Sequence, residues 1–298
     1  MRPVIRYHGG KKLLAPWIVS HFPAHRIYVE PYCGAASVLL HKPRAYSEVI
    51  NDLDSDVVNL FRVLQSPKGA EELERLLRVT PYAREEFKLA YEKTTEPIEQ
   101  ARRTIIRAFM GFASAAATYE SGAGARIPTG FRNSTKNNRH CVGPESTPTG
   151  FRANSNRSGT TPAHDWVNYS PSIPFFTERM QGVVIENRDA VEIIRQHDFE
   201  QALHYVDPPY PQSTRDNKLL DYRHEMTDDQ HRELAAVLHK CAGMVVLSGY
   251  PCDLYDAELY PDWQRVTKSA LADGARKRVE VLWLNPAASS RGNGRLAL

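Results

Sequence analysis

Asp207-Pro208-Pro209-Tyr210 is the segment in which residue type and spacing speak most directly of chemistry. It follows an apolar run, residues 202–206, that reads as a buried strand. Open α/β sheets bind their ligands at such carboxyl ends. Two consecutive prolines fix φ twice and remove two backbone donors, which leaves rigid carbonyls as acceptors. An acid, a fixed carbonyl and an aromatic ring on one turn suit a planar base bearing an exocyclic amine. The lone pair of such an amine is delocalised into the ring and is a poor nucleophile. If the Asp207 carboxylate and the Pro208 carbonyl each accept one N–H, the nitrogen moves towards tetrahedral geometry and its lone pair becomes available. Tyr210 is expected to stack on the base once it has left its helix. The catalytic set is therefore Asp207, Pro208, Pro209 and Tyr210, with neither metal nor covalent intermediate, and positioning and electrostatics supply the acceleration.

A second element precedes it. Glu30-Pro31-Tyr32-Cys33-Gly34-Ala35-Ala36-Ser37 follows a short strand, and its small residues let backbone approach a ligand closely. It is neither G-x-G-x-x-G nor a phosphate-binding P-loop. A nucleoside without phosphates, such as S-adenosylmethionine, suits it better than NAD or ATP. Asp52 ends the next strand, where an acid can accept from ribose hydroxyls, and Asp189 follows a later one. A helix cap is the competing role for both. Gly9, Gly10 and Lys11 could bring backbone and a cation against a carboxylate.

The elements that must position these residues form an α/β pattern. Strands are expected at 26–30, 46–50, 182–186, 202–206, 244–248 and 279–284, with helices at 12–21, from 37, at 190–196 and at 227–239, where Thr227 and Gln230 are spaced for a capping box. Between the second and third strands lie four helical periodicities, 54–65, 68–79, 83–93 and 98–109. Residues 121–165 then become rich in Gly, Ser, Thr, Asn and Pro, with Pro-Thr-Gly-Phe-Arg occurring at both 128–132 and 148–152. The fold is expected to be a Rossmann-like sheet formed by residues 1–55 and 166–298, interrupted by a helical and basic recognition insertion at 56–165.

Composition narrows the class. The 298 residues are 42% hydrophobic, with a net charge of only +3, so a basic surface must come from uneven distribution. Arg126, Arg132, Lys136, Arg139, Arg152 and Arg157 are opposed only by Glu145 between residues 121 and 160, a local charge of +5. These six are expected to contact DNA, mostly at phosphates, and residues 211–225 to close over an extruded base. The four cysteines show no CxxC pair or zinc-ligand spacing, and no apolar run is long enough to span a membrane. Reduced thiols in a cytoplasmic protein are the expectation. A monomer is compatible with the sequence, which sets no oligomeric state.

In order and wording these motifs resemble the Dam-type, alpha-group DNA N6-adenine methyltransferases. The shared pieces are His8-Gly9-Gly10-Lys11, the loop at 30–37, Asn51-Asp52, the helical and basic insertion, and Asp207 to Tyr210. Glu280-Val281-Leu282-Trp283-Leu284-Asn285-Pro286 is similar to the ending of phage and prophage members. The resemblance implies S-adenosylmethionine as cofactor and double-stranded DNA as partner. It also implies that Tyr7, Gly10, Lys11, Glu30, Pro31, Gly34, Ala35, Asp52, Asp189 and Asp207 line the cofactor site. Two departures are plain: the loop has Tyr32-Cys33 and Ala36 where such loops usually have Phe and a second Gly, and the stretch familiar from GATC-specific members is absent. Cytosine-N4 methylation and a DNA-binding protein without catalysis stay open as alternatives. An RNA or protein-glutamine methyltransferase is a further one, although the latter usually has Asn at position 207. An NAD-dependent oxidoreductase lacks support because the phosphate-binding glycines are missing.

Overall fold

The computed structural model describes residues 3–7, 9–111, 162–214, 223–272 and 276–291. Strands β1 (Ile27–Glu30), β2 (Ser47–Asn51), β3 (Val183–Glu186), β4 (Ala202–Val206), β5 (Met244–Gly249), β6 (Gln264–Ala272) and β7 (Arg276–Leu284) form one sheet in the order β3-β2-β1-β4-β5-β7-β6. The first five run parallel, while β7 lies antiparallel to both β5 and β6. Every residue of β4 and β5 is buried, which is why both read as continuous apolar runs. The chain builds outward from β1 in one direction and resumes at β4 in the other, so the carboxyl ends of β1 and β4 flank a topological switch point.

Helices α1 (Ala15–Val19) and α2 (Ser37–His41) pack together ahead of a helical block between β2 and β3. The block contains α3 (Ser55–Gln65), α4 (Pro67–Val79), α5 (Arg84–Leu89), α6 (Pro97–Met110), α7 (Pro162–Val167) and α8 (Ile173–Met180). Its apolar faces run into the sheet's own core: Leu73, Phe87, Ile105, Phe109 and Tyr169 belong to the same buried cluster as Tyr28, Leu39 and Ile50. Tyr169 donates to the Val4 carbonyl and Trp166 to that of Thr80, pinning the returning chain to both parts. After β3 and β4 come α9 (Ala190–Gln196) and α10 (Asp228–Leu238); α10 has the expected capping box of Thr227 and Gln230. A π-helical turn, Leu254–Leu259, leads to β6, and α11 (Pro286–Arg291) follows β7.

Strand β6 was not among the sequence expectations. It is an edge strand, Gln264 to Ser269 are exposed apart from half-buried Val266, and no apolar run advertises it. At the other end of the hairpin, buried Asn285 accepts from Val245 and Ala288 and donates to the Gly243 carbonyl, locking the end of β7 to the start of β5.

One buried ion cluster joins three elements. Glu48 on β2 accepts from Lys42 at 2.6 Å and from Arg179 of α8 at 2.6 and 3.0 Å, and Arg179 also donates to the Leu39 carbonyl. Removing one partner of such a set strands the others' charge. Glu48→Ala is expected to lower unfolding free energy by about 3–5 kcal/mol, read from urea denaturation; a loss under about 1 kcal/mol would contradict that role.

Candidate functional site

Asp207 follows the last residue of β4 and lies beside β5. Its Oδ1 accepts from the Ser248 hydroxyl at 2.7 Å, and its Oδ2 faces the Lys11 ammonium at 2.7 Å. Ser248 in turn shares a hydrogen bond with the Tyr205 hydroxyl at 3.1 Å. Lys11 is only 6% exposed and also donates to the Gly9 carbonyl. Burial opposes its charge, but the Asp207 and Glu280 carboxylates outweigh that and hold its pKa above the ordinary lysine value. Lys11 Nζ also sits 4.8 Å from the centre of the Tyr210 ring. That ring is 5% exposed, meets Tyr250 edge to face, and its hydroxyl donates to Glu280.

The loop after β1 is held from the neighbouring strand. Asn51, 1% exposed, donates to the carbonyls of Pro31 and Arg188 and accepts from the Arg188 N–H. Asp52 accepts from the Gly34 N–H at 2.8 Å and from the Asp54 N–H at 2.9 Å. Desolvation raises its pKa to about 6, against the pull of those backbone donors. Gly34 has φ +46, and a Cβ there would lie 3.0 Å from the Tyr7 ring, so both backbone and packing require glycine. Ala36 also has a positive φ, 50, at the position where the resembling loops carry a second glycine. Asp189 caps α9, accepting from Val191 and Glu192.

These parts enclose one cavity. Tyr7, Gly10, Lys11, Glu30, Pro31, Gly34, Ala35, Asp52, Asp189 and Asp207, the ten residues expected at a cofactor site, all line it. Asp52 and Asp189 also do the capping and turn-forming work that competed with their functional reading. Pro209 reaches the wall, whereas Pro208 and Tyr210 are buried behind it. Arg223, His224, Glu225 and Met226 supply a further side of the cavity, and Arg223 is paired with Asp54 at 2.7 Å. Within the 211–225 segment, residues 215–222 lie outside the described residues, as do Arg126, Arg132, Lys136, Arg139, Arg152 and Arg157. Sequence reasoning missed Ser248 and Glu280, whereas Arg223 belongs to the 211–225 segment expected beside the base. Among the described residues, no three His, Cys, Asp or Glu side chains are grouped to hold a metal, and no helix is long and apolar enough to cross a membrane.

A family model described as D12 class N6 adenine-specific DNA methyltransferase matches residues 7–140 and 163–271. The chain belongs to that family. The matched stretches include every cavity residue named above, and the gap between them falls at 141–162. This D12-class chain is also similar to a DNA adenine methylase of Serratia marcescens, 35% identical over 65 residues; the alignment takes in 22% of this chain and 23% of that protein.

The cavity wall holds one carboxylate with an unusual proton affinity. Glu30, 2% exposed, accepts from the Tyr28 hydroxyl and the Leu39 N–H. Desolvation drives its pKa from 4.5 to about 8 despite the Tyr28 bond, and the nearby Asp207 charge adds to the rise. A carboxyl whose pKa is raised on folding favours the fold at low pH. That contribution is complete below the unfolded value and disappears as pH climbs through the folded one. Glu30→Gln keeps an acceptor without the charge, so its stability relative to wild type is expected to rise steadily between about pH 5 and about pH 8.5. Urea midpoints for both proteins across that range measure this, and a constant difference would rule it out.

Proposed function

We propose that this chain transfers a methyl group from S-adenosylmethionine to the exocyclic N6 amine of adenine in double-stranded DNA. The observation that carries the reading is the Asp207 carboxylate, fixed by Ser248 and Lys11 at the edge of a cavity lined by the loops after β1, β2 and β3. The family's description, adenine-specific DNA methyltransferase, supports adenine over cytosine.

The residues suit this cofactor. A Cβ at Gly10 would lie 3.0 Å from the Tyr7 carbonyl, so glycine suits the tight turn that delivers Lys11 to the cavity. Asp52 and Asp189 offer acceptors for hydroxyl or amine groups, Lys11 offers a cation, and Leu53, Val191 and Met226 offer apolar surface. When bound, S-adenosylmethionine supplies an electrophilic methyl group on a sulfonium. The protein's part is to present the amine. Each oxygen of an ionised carboxylate has two lone pairs, so Asp207 can accept a base N–H while keeping Ser248. The Pro208 carbonyl, on a turn stiffened by two prolines, would take the second N–H. Stacking of Tyr210 on the base requires Lys11 to leave the ring's face.

Residues 56–165 are proposed to carry target recognition, and Arg126, Arg132, Lys136, Arg139, Arg152 and Arg157 to bind DNA, chiefly its phosphates. Deleting residues 126–157 is expected to weaken DNA binding and flatten its dependence on salt concentration. Unchanged affinity in a filter-binding titration would rule out a DNA-binding role for these six residues.

Asp207→Ala is expected to reduce methyl transfer by about a thousandfold or more, the scale of losing a principal electrostatic contact. Tritiated methyl incorporation into unmethylated DNA measures the rate, and mass analysis of digested DNA is expected to find N6-methyladenine rather than N4-methylcytosine. Transfer by the variant at the wild-type rate would end the assignment.

A further inference from the structure

Glu280 is a buried carboxylate on β7, 7% exposed, opposite Lys268 of β6 and one residue beyond the last pairing with β5, Gly249 with Val281. Its neighbours along the strand, Val281, Leu282 and Trp283, fill the core in the ordinary way. A buried acid is costly unless its partners repay the lost hydration. Its hydrogen-bond partner is the Tyr210 hydroxyl at 3.1 Å, across 70 residues of sequence. The nearby Lys11 ammonium offsets its charge. The Tyr210 ring is therefore held at its tip by Glu280, beneath Lys11 at 4.8 Å, and against Tyr250 at 4.7 Å between centroids. The two prolines restrain the backbone of the catalytic turn up to Pro209 but leave the side-chain torsions of Tyr210 free. A hydrogen bond at the far end of the ring removes that freedom.

We propose that Glu280 is a positioning residue: by anchoring the Tyr210 hydroxyl it fixes the turn that carries Asp207 and the Pro208 carbonyl. This rests on the reading of that turn as the holder of the target amine. It assigns the tyrosine a role its hydroxyl performs, distinct from stacking, for which a phenylalanine ring serves equally well. A small displacement of the turn misaligns the amine and lowers turnover without touching the cofactor loops.

Four variants test this by tritiated methyl transfer to unmethylated DNA, separating kcat from the KM for S-adenosylmethionine. Tyr210→Phe keeps the ring and is expected to lose about tenfold in kcat with KM within about twofold. Glu280→Leu is expected to lose a similar factor. Glu280→Gln, which still offers an oxygen to the hydroxyl, should recover to within about threefold of wild type. In the Tyr210→Phe background, Glu280→Leu should cost less than about twofold more, because the two changes remove one interaction. Full turnover by Tyr210→Phe overturns the proposal, as does an equal cost of Glu280→Leu in both backgrounds. If thermal melting shows Glu280→Leu unfolded, Tyr210→Phe and Glu280→Gln decide alone: low and high rates support the anchor, and any other pairing refutes it. Asp207→Ala run beside them separates the two levels. An active Asp207→Ala defeats the reading of the turn, whereas an inactive one alongside a fully active Tyr210→Phe defeats only the anchor.

Discussion

A carboxylate at the end of a fully buried strand must find a cation and donors within reach, because its lost hydration is worth several kcal/mol. Asp207 is in that position, and much of the site's construction answers to it. Lys11 covers one oxygen and Ser248 the other. For Lys11 to arrive there, the N-terminal segment has to turn at Gly10, where the N–H bonds back to the Tyr7 carbonyl. That turn lays the Tyr7 ring over Gly34 in the loop after β1. The loop and the turn at Asp207, nearly 180 residues apart in sequence, are thus brought to a common wall through one short segment at the start of the chain.

The acids around the cavity serve architecture and, on the proposed reading, ligand chemistry as well. Asp52 spends its two oxygens on the Gly34 and Asp54 amides, and Asp189 uses one oxygen on the first turn of α9. A carboxylate has about four acceptor positions, so these duties do not exhaust it. They do prevent the side chain from turning away. The fasteners of the loops are in this way already aimed, and the entropy of aiming them is spent during folding rather than during binding.

Much of this was legible in the primary structure because the informative signals are local. The residues after β1 and β4 announce themselves by following apolar runs, and the α10 capping box needs only a spacing of three. All ten residues expected at the cofactor site came together, although several had an equally good bland role. What stayed hidden depends on contacts between distant segments. Ser248 reaches Asp207 from the adjacent strand, and Glu280 reaches Tyr210 from a strand whose antiparallel register no short motif specifies. Strand β6 was invisible because an edge strand facing water has no apolar pattern to show. The helical block read correctly as a departure from βα alternation, but the merging of its core with that of the sheet is a property of packing, not of periodicity.

The described residues break off at Gly111, after α6, and resume at Pro162 in α7, and those two helices touch. The two ends of that break are therefore neighbours in space. Closing a connection between two adjacent points costs only slightly more as it lengthens. The contact of α6 with α7 therefore sets only a weak limit on how many residues join them. The repeated Pro-Thr-Gly-Phe-Arg lies among them in the sequence, where added length carries little closure cost.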